Sequence, residues 1–314
     1  MSGFRTKALR IVIWPAGSLA LGTAVAFLFA EWYRAADHTG RLLERRGCGF
    51  EVVEKELAEV AGRRAVAFSL TDNLGRVSSG CLSLPATVAE PLPAVLILGG
   101  HGTGARAVEL VKLDRPAVLC GMDYPPIPEH RVHPARFPSL LFSLDSLVTD
   151  AVGMAFTAID YLSAHSAVDS TRITVLGASF GVPFAVIAGL DPQVDGMVLI
   201  YGGAGMERVI EWNLRGKIRS GPLRRFVSYI LGTFAAPFEP SSYIGEFSPR
   251  PLLIVNGSGD TKIPVESACQ LYAAAGEPKE QVWVQGEHIH PSNRQLIDSL
   301  TAGISGWMVR QGLL

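Results

Sequence analysis

A serine lies between two glycines in the segment Gly177 to Gly181, which has the pattern G-x-S-x-G. The apolar run Ile173 to Leu176 precedes this segment, and a stretch with helical spacing follows it. On a tight turn between a strand and a helix, a serine hydroxyl projects from the sheet, and flanking glycines let neighbouring backbone pass closely. The pattern predicts Ser179 as a nucleophile. In a chain with 33 glycines, an ordinary turn serine is the alternative.

With this motif the chain resembles the α/β-hydrolase superfamily, in its dienelactone-hydrolase-like serine esterase branch, from about residue 50 to the C-terminus. The resemblance implies an α/β-hydrolase fold, with a mostly parallel central sheet flanked by helices. It also implies a chain order in which an acid after a later strand and a histidine after the last strand follow the serine. Asp260 follows the apolar run Leu252 to Val255, and His288 follows the run Val282 to Val284.

The resemblance therefore identifies Ser179, Asp260 and His288 as a catalytic triad. A turn or helix-cap role is the alternative for Asp260. His290 is the competing base, but it immediately precedes Pro291, where the next helix is predicted to start. His288 lies closer to the end of the strand, which favours it.

A glycine-rich segment, Gly99 to Gly104, follows the apolar run Ala94 to Leu98 and resembles the oxyanion loop of the same family. Two fixed backbone N–H donors stabilise the negative oxygen of a tetrahedral intermediate. By position, the resemblance implies the amides of Thr103 and Phe180 as these donors. A phosphate-binding loop is the alternative for a glycine cluster, but neither G-K-[ST] nor G-x-G-x-x-G occurs in the chain.

These residues imply a serine hydrolase that cleaves an ester or thioester through an acyl-enzyme, without a metal or organic cofactor. Carboxylesterase, thioesterase and peptidase chemistry share this machinery, so the resemblance does not choose among them. A catalytically silent, membrane-tethered binding protein of the same fold is the rival hypothesis. His130 and His133 have the spacing of a metal-binding pair, but surrounding prolines indicate a loop and no third ligand is evident.

From Pro93 onward, short apolar runs alternate with stretches of helical spacing, a pattern typical of a parallel sheet buried on both faces. The predicted strands are Ala94 to Leu98, Ala117 to Cys120, Ile173 to Leu176, Met197 to Tyr201, Leu252 to Val255 and Val282 to Val284. The predicted helices are Leu144 to Ser163, Val182 to Ala188, Glu266 to Ala275 and Asn293 to Val309. Two β-rich stretches, Phe50 to Val60 and Ala65 to Leu84, precede them. They are broken by Gly62 and by a turn signal at residues 72–75, and they indicate an antiparallel hairpin.

One segment, Gly205 to Phe247, interrupts this alternation before the penultimate strand. It combines aromatic residues with several arginines, so we predict a helical, amphipathic insertion. Two interpretations remain open for it. It forms surface helices that cover one edge of the sheet, or it forms a lid that shapes the pocket or touches lipid headgroups.

The segment Ile11 to Ala30 contains no charged residue. Its twenty residues would extend roughly 30 Å as a helix, the thickness of a bilayer's hydrocarbon core. We predict a membrane-spanning anchor, with a cleaved signal peptide and a buried helix as alternatives. The predicted domains are residues 1–47, an anchor and juxtamembrane linker, and residues 48–314, the catalytic domain, on the extracytoplasmic side.

The predicted partners are a small-molecule acyl substrate, with a lipid-like one as an option, and the membrane itself. The formal net charge is −1, which gives no global attraction to nucleic acid. Cys48 and Cys81 are candidates for a disulfide in an oxidising compartment, and four reduced thiols are the alternative. The natural substrate and the oligomeric state are not encoded in these motifs.

Overall fold

The computed structural model of the 314-residue chain describes residues 21–57, 59, 62–100, 102–125 and 137–314. His130 and His133, considered above as a metal-binding pair, lie outside the described residues, and so does His101 of the glycine-rich segment. The first half of the predicted span, residues 11–20, lies outside them as well.

The described residues form one nine-stranded sheet. Its strands are β1 (Phe50–Glu56), β2 (Arg63–Asp72), β3 (Val77–Pro85), β4 (Leu92–Leu98), β5 (Val118–Met122), β6 (Val168–Ala178), β7 (Gly196–Ile200), β8 (Leu252–Gly257) and β9 (Lys279–Val284). They lie in the order β1-β2-β3-β5-β4-β6-β7-β8-β9. β1, β2, β3 and β5 pair antiparallel, and every pair from β5 to β9 is parallel.

All six strands predicted after Pro93 are present, and the sheet is mostly parallel as predicted. The leading hairpin is instead a three-stranded antiparallel unit. The stretch Ala65 to Leu84 contains a turn at residues 73–75, so it contributes two strands, β2 and β3. The tight turn lets β2 pair with β3 along its length, while β1 pairs with the other side of β2.

Helices cover both faces of the sheet, so its central strands are buried from both sides. The helices are α1 (residues 21–35), α2 (Thr39–Leu43), α3 (Phe137–Ala164), α4 (Val182–Ala188), α5 (Met206–Leu214), α6 (Gly221–Ala235), α7 (Val265–Ala274) and α8 (Arg294–Arg310). Along β4, Leu96 and Leu98 join the core shared with α3, α4 and α7, whereas Val95 and Ile97 join the core shared with α8. This double burial explains the uninterrupted apolar run.

The predicted insertion before the penultimate strand is helical. It contains α5 and α6, followed by three short 3₁₀ turns that end at Phe247. The two helices pack closely, because a Cβ atom added at Gly232 of α6 would lie 2.8 Å from Cβ of Glu207 in α5.

The N-terminal helix α1 lies against this insertion. The Phe27 ring stacks on Tyr229 of α6 with centroids 5.8 Å apart, and the Tyr229 hydroxyl donates to Glu31 at 2.9 Å. Arg34 forms an ion pair with Glu207 of α5. Within the part of the chain that the structure describes, no helix combines the length and apolar character needed to cross a membrane. The predicted span from Ile11 to Ala30 therefore has no support from these residues and stays a prediction.

The segment predicted as a juxtamembrane linker contacts the catalytic domain. Leu42 is fully buried in the core shared with α3 and α4, and Arg46 pairs with Asp160 and Asp191. All four cysteines are free thiols, so the Cys48–Cys81 pair is not formed in this structure.

Candidate active site

Ser179 lies on a strained turn between a strand and a helix. It follows the end of β6 directly, and the 3₁₀ turn Ser179–Gly181 leads into α4. Its φ angle is +53°, in the left-handed region that non-glycine residues rarely adopt. Strain of this kind persists where the surrounding structure over-determines the backbone, and it concentrates at functional sites. The strand–turn–helix context predicted for Ser179 is therefore present.

The two glycines that flank Ser179 are needed for close packing. A Cβ atom at Gly181 would overlap the carbonyl oxygen of Leu98 at the end of β4. A Cβ atom at Gly177 would lie 2.5 Å from Cβ of Ala185 in α4. The glycines thus let the turn approach both β4 and α4, which holds the Ser179 hydroxyl at the edge of the sheet.

The three predicted triad residues lie within hydrogen-bonding distance of one another. The Ser179 Oγ atom is 2.7 Å from His288 Nε2, and His288 Nδ1 is 2.8 Å and 2.9 Å from the two carboxylate oxygens of Asp260. Asp260 follows β8 and His288 follows β9, so parallel pairing brings all three to the carboxyl edge of the sheet. With Nδ1–H donating to the carboxylate, the Nε2 lone pair faces the serine hydroxyl and can accept its proton.

Asp260 also organises the turn that carries it. Its Oδ1 atom accepts hydrogen bonds from the amides of Lys262 at 2.7 Å and Ile263 at 3.0 Å. The turn role that was considered as the alternative is therefore present together with the contact to His288. The Asp260 side chain is only 4% exposed. These hydrogen bonds hold the nearly buried carboxylate in one orientation behind the imidazole.

The insertion is attached to this same acid turn. Trp212 Nε1 donates to the carbonyl oxygen of Thr261 at 3.0 Å, and Asn213 Nδ2 donates to that of Lys262 at 2.8 Å. Both donors belong to α5, so the first inserted helix is tied to the loop that carries Asp260.

His290 is not part of the hydrogen-bonded triad. It is exposed, and its Nδ1 atom is 2.7 Å from the hydroxyl oxygen of Ser292 in the turn before α8. The Asp260 carboxylate bonds to His288 instead. The geometry thus favours His288 over His290.

The glycine-rich loop after β4 differs from the prediction in one respect. The Thr103 amide donates to the carbonyl oxygen of Gly100 at 3.0 Å and closes a turn within the loop. It is committed to that bond, so this geometry does not support Thr103 as an oxyanion donor. Phe180 directly follows Ser179, as the prediction of its amide requires, and its role stays a prediction.

Two residues that follow β5 hold the glycine-rich loop in place. Asp123 accepts a hydrogen bond from the Ala105 amide at 2.7 Å, and the Tyr124 hydroxyl donates to the carbonyl oxygen of Gly99 at 2.8 Å. Asp123 thus fixes a loop, as its position at the end of a strand indicates. Sequence reasoning missed Tyr124. Its position after a strand next to β4 was the available signal.

Tyr201 is a second residue that sequence reasoning missed. It follows β7 with a φ angle of +55°, and its ring meets His288 edge-to-face with centroids 5.6 Å apart. The hydroxyl is buried and has no hydrogen-bond partner among the described residues. Burial raises the pKa of Tyr201, and the charge of Asp260 raises it further. The Tyr201 hydroxyl therefore stays neutral, and the ring packs against the His288 imidazole.

The ring of Tyr201, and not its hydroxyl, contacts His288, so Tyr201→Phe is expected to retain kcat within about threefold. Because this variant removes a buried hydroxyl that has no hydrogen-bond partner among the described residues, its stability should match or slightly exceed that of the wild type. Tyr201→Leu removes the aromatic contact and is expected to lower kcat about tenfold, with a smaller change in KM. Measuring kcat and KM across pH 5–9 checks this, since a loosened imidazole also alters the pH profile. Equal losses in the two variants would show instead that the hydroxyl matters.

Two cavities open at Ser179. One has a volume of about 420 Å³ and lies between the glycine-rich loop and α8. The other has a volume of about 570 Å³ and lies beneath α5 and α6. Ser179, Phe180 and His288 line both. The insertion therefore shapes a pocket at the candidate nucleophile. This agrees with the interpretation of the insertion as a lid that shapes the substrate pocket.

The described residues contain no group of three or more His, Cys, Asp or Glu side chains that could hold a metal ion.

No protein-family profile matches the chain. It is 30% identical over 146 residues to the uncharacterized protein YfhR of Salmonella typhimurium, and 28% identical over 137 residues to that of Salmonella typhi. Each match covers 42% of this chain and 46% of the relative, so the chain matches about half the length of these curated relatives.

Solved structures match over much more of the chain. Acetyl xylan esterase 1 from Thermoanaerobacterium sp. has a TM-score of 0.64 at 14% identity, over 84% of this chain and 91% of that one. An acetyl xylan esterase from Paenibacillus sp. R4 has a TM-score of 0.61 at 16% identity, over 87% and 93%. At these identities the likeness shows the fold alone. It confirms the fold that the resemblance implied: the chain has the α/β-hydrolase fold.

Proposed function

We propose that this chain is a serine hydrolase that cleaves a carboxylic ester or thioester through an acyl-enzyme intermediate. The observation that carries the proposal is the continuous set of hydrogen bonds from Ser179 through His288 to Asp260. The esterases that share the fold are consistent with it. The chemistry itself is inferred from the site, because one fold supports many activities.

In the proposed reaction, Ser179 Oγ attacks the acyl carbonyl carbon while His288 Nε2 takes the hydroxyl proton. The negative oxygen of the tetrahedral intermediate is stabilised by backbone donors, for which we propose the Phe180 amide and the glycine-rich loop. The intermediate collapses, and the leaving alcohol or thiol takes the proton from His288. Water then attacks the acyl-enzyme with His288 again as base, which releases the carboxylic acid and restores Ser179.

A membrane anchor at residues 11–30 and an extracytoplasmic catalytic domain remain part of the proposal. They are supported by the uncharged sequence of that segment alone. Fractionation of cells that express the full chain tests this. Recovery of all the protein in the soluble fraction, with residues 11–30 still attached, would contradict it.

The proposed function is tested by treating the full chain with a fluorophosphonate probe and measuring p-nitrophenyl acetate hydrolysis. Covalent labelling at Ser179 together with hydrolysis is expected. A serine peptidase of this fold would also react with the probe. Hydrolysis of the p-nitroanilide of the same acyl group, which contains an amide bond, therefore distinguishes a peptidase from an esterase. Labelling without turnover of ester, thioester or amide would favour the silent binding protein.

Asp260→Asn is expected to lower kcat about 10⁴-fold, because an amide in place of the carboxylate favours the wrong imidazole tautomer. Asp298→Asn is the matched control, since Asp298 lies on α8 and forms an exposed pair with Lys112. The control is expected to keep its activity. Steady-state kinetics with p-nitrophenyl acetate measures both variants, and a fall of less than tenfold in Asp260→Asn would contradict the assigned role.

A further inference from the structure

The two cavities at Ser179 extend toward opposite faces of the sheet. The smaller is lined by Ile97, Ile200 and Leu300, which belong to the core on the α8 face. The larger is lined by Phe184 and Phe238, which belong to the core on the α4 face. An ester cleaved at Ser179 has its acyl group and its alcohol on different sides of the carbonyl carbon. The site therefore provides a separate space for each.

Both spaces are lined mainly by apolar side chains. In the smaller cavity these include Ala107, Leu110, Val111, Leu176, Ile289 and Ile297. In the larger they include Met206, Val209, Ile210, Leu231, Phe234 and Ile263. Volumes of about 420 Å³ and 570 Å³ lie within the range typical of small-molecule sites, so each cavity can hold a substantial group.

Several polar groups that line the cavities are already bonded to the protein. In the smaller cavity, the Thr301 hydroxyl donates to the Asp298 carbonyl oxygen at 3.1 Å. In the larger, Asn213 Nδ2 donates to the carbonyl oxygens of Val209 and Lys262, each at 2.8 Å. Apart from these two residues and the triad, the polar side chains among the described lining residues are those of Thr103, His290 and Lys262. A sugar or polyol that entered either space would therefore give up water and find few partners for its hydroxyl groups among the described residues, which is unfavourable.

We propose that the substrate of this site carries an apolar group on both sides of the scissile bond, one in each cavity, and is not an ester of a sugar or polyol. This inference rests on the proposed serine hydrolase function and specifies its substrate class. The apolar linings exclude water from both groups, so kcat/KM increases as either group is lengthened within its cavity.

The test uses two ester series with the full chain. One series varies the acyl group from acetate to octanoate on a constant p-nitrophenol, and the other varies the alcohol from methanol to octanol on a constant acetate. Each added methylene is expected to raise kcat/KM about fourfold in both series until the cavity is filled. Methyl 2-O-acetyl xyloside is expected to be at least about 100-fold poorer than octyl acetate.

Three valine-to-tryptophan variants assign the cavities. Val111→Trp narrows the smaller one, Val209→Trp narrows the larger one, and Val53→Trp is the matched control on β1, where Val53 is 70% exposed. Each cavity variant is expected to lose about tenfold in kcat/KM for the longest esters of one series only, with the two variants affecting different series. The control should behave as the wild type.

If chain length has no effect in one series, while Ser179 still labels and acetate is still hydrolysed, the inference is wrong and the proposed function stands. A preference for the xyloside, or folded cavity variants that both affect the same series, also overturns it. If the wild type neither labels nor hydrolyses any ester, both proposals fail. The wild-type series decides even if a tryptophan variant does not fold.

Discussion

Replacing Ser179 with alanine is expected to lower ester hydrolysis by about 10⁴- to 10⁶-fold and to remove fluorophosphonate labelling. The hydroxyl oxygen is the atom that forms the covalent bond, and its 2.7 Å distance to His288 Nε2 provides the route for its proton. Without it, only substrate binding and the backbone donors remain. Steady-state kinetics measures the loss, and mass spectrometry of the labelled protein checks that no other serine reacts.

Ser179→Gly is the matched variant for the effect of the backbone. Glycine adopts the observed φ of +53° without steric cost, whereas alanine does not. Both variants should be equally inactive, but the glycine variant should have the higher free energy of unfolding, by about 1 kcal/mol. Urea denaturation measures this difference. Undiminished hydrolysis in either variant would exclude the whole mechanism.

His288→Ala is expected to cause a loss of comparable size, about 10⁴- to 10⁶-fold, because it removes the base that activates Ser179. It also leaves the nearly buried Asp260 carboxylate without one of its partners, so we expect unfolding to be easier by about 1–3 kcal/mol. Hydrolysis of p-nitrophenyl acetate and thermal unfolding measure the two effects.

His290→Ala is the internal control for this prediction. His290 is exposed and bonds to Ser292, so its removal should change kcat by no more than about threefold. If the His290 variant lost the activity and the His288 variant kept it, the assignment of the base would be wrong.

Much of the architecture could be predicted because buried parallel strands have a simple sequence pattern. A strand covered on both faces reads as a continuous apolar run, as in β4, β7 and β8. The turn after β6 was predictable for a similar reason, since its two glycines are required by close contacts with Leu98 and Ala185. The sequence alone therefore determined the mostly parallel sheet, the helical insertion and the order of serine, acid and histidine.

Other features depend on contacts between distant parts of the chain, which local patterns do not encode. The sequence favoured His288 over His290 only by its closeness to the end of β9, whereas the hydrogen bond that joins His288 to Asp260 follows from the tertiary structure. The amide of Thr103 is directed by a turn within its own loop, and Tyr201 reaches His288 because β7 lies between β6 and β8.

The insertion also combines a feature that is local to the sequence with one that depends on long-range contacts. Its amphipathic composition indicated helices, but α5 lies over Ser179 because Trp212 and Asn213 bond to the acid turn about fifty residues away. The residue types and their order are properties of the sequence. The distances among them, and the two cavities that meet at Ser179, follow from strand order and long-range packing, because only these bring separate segments to one edge of the sheet.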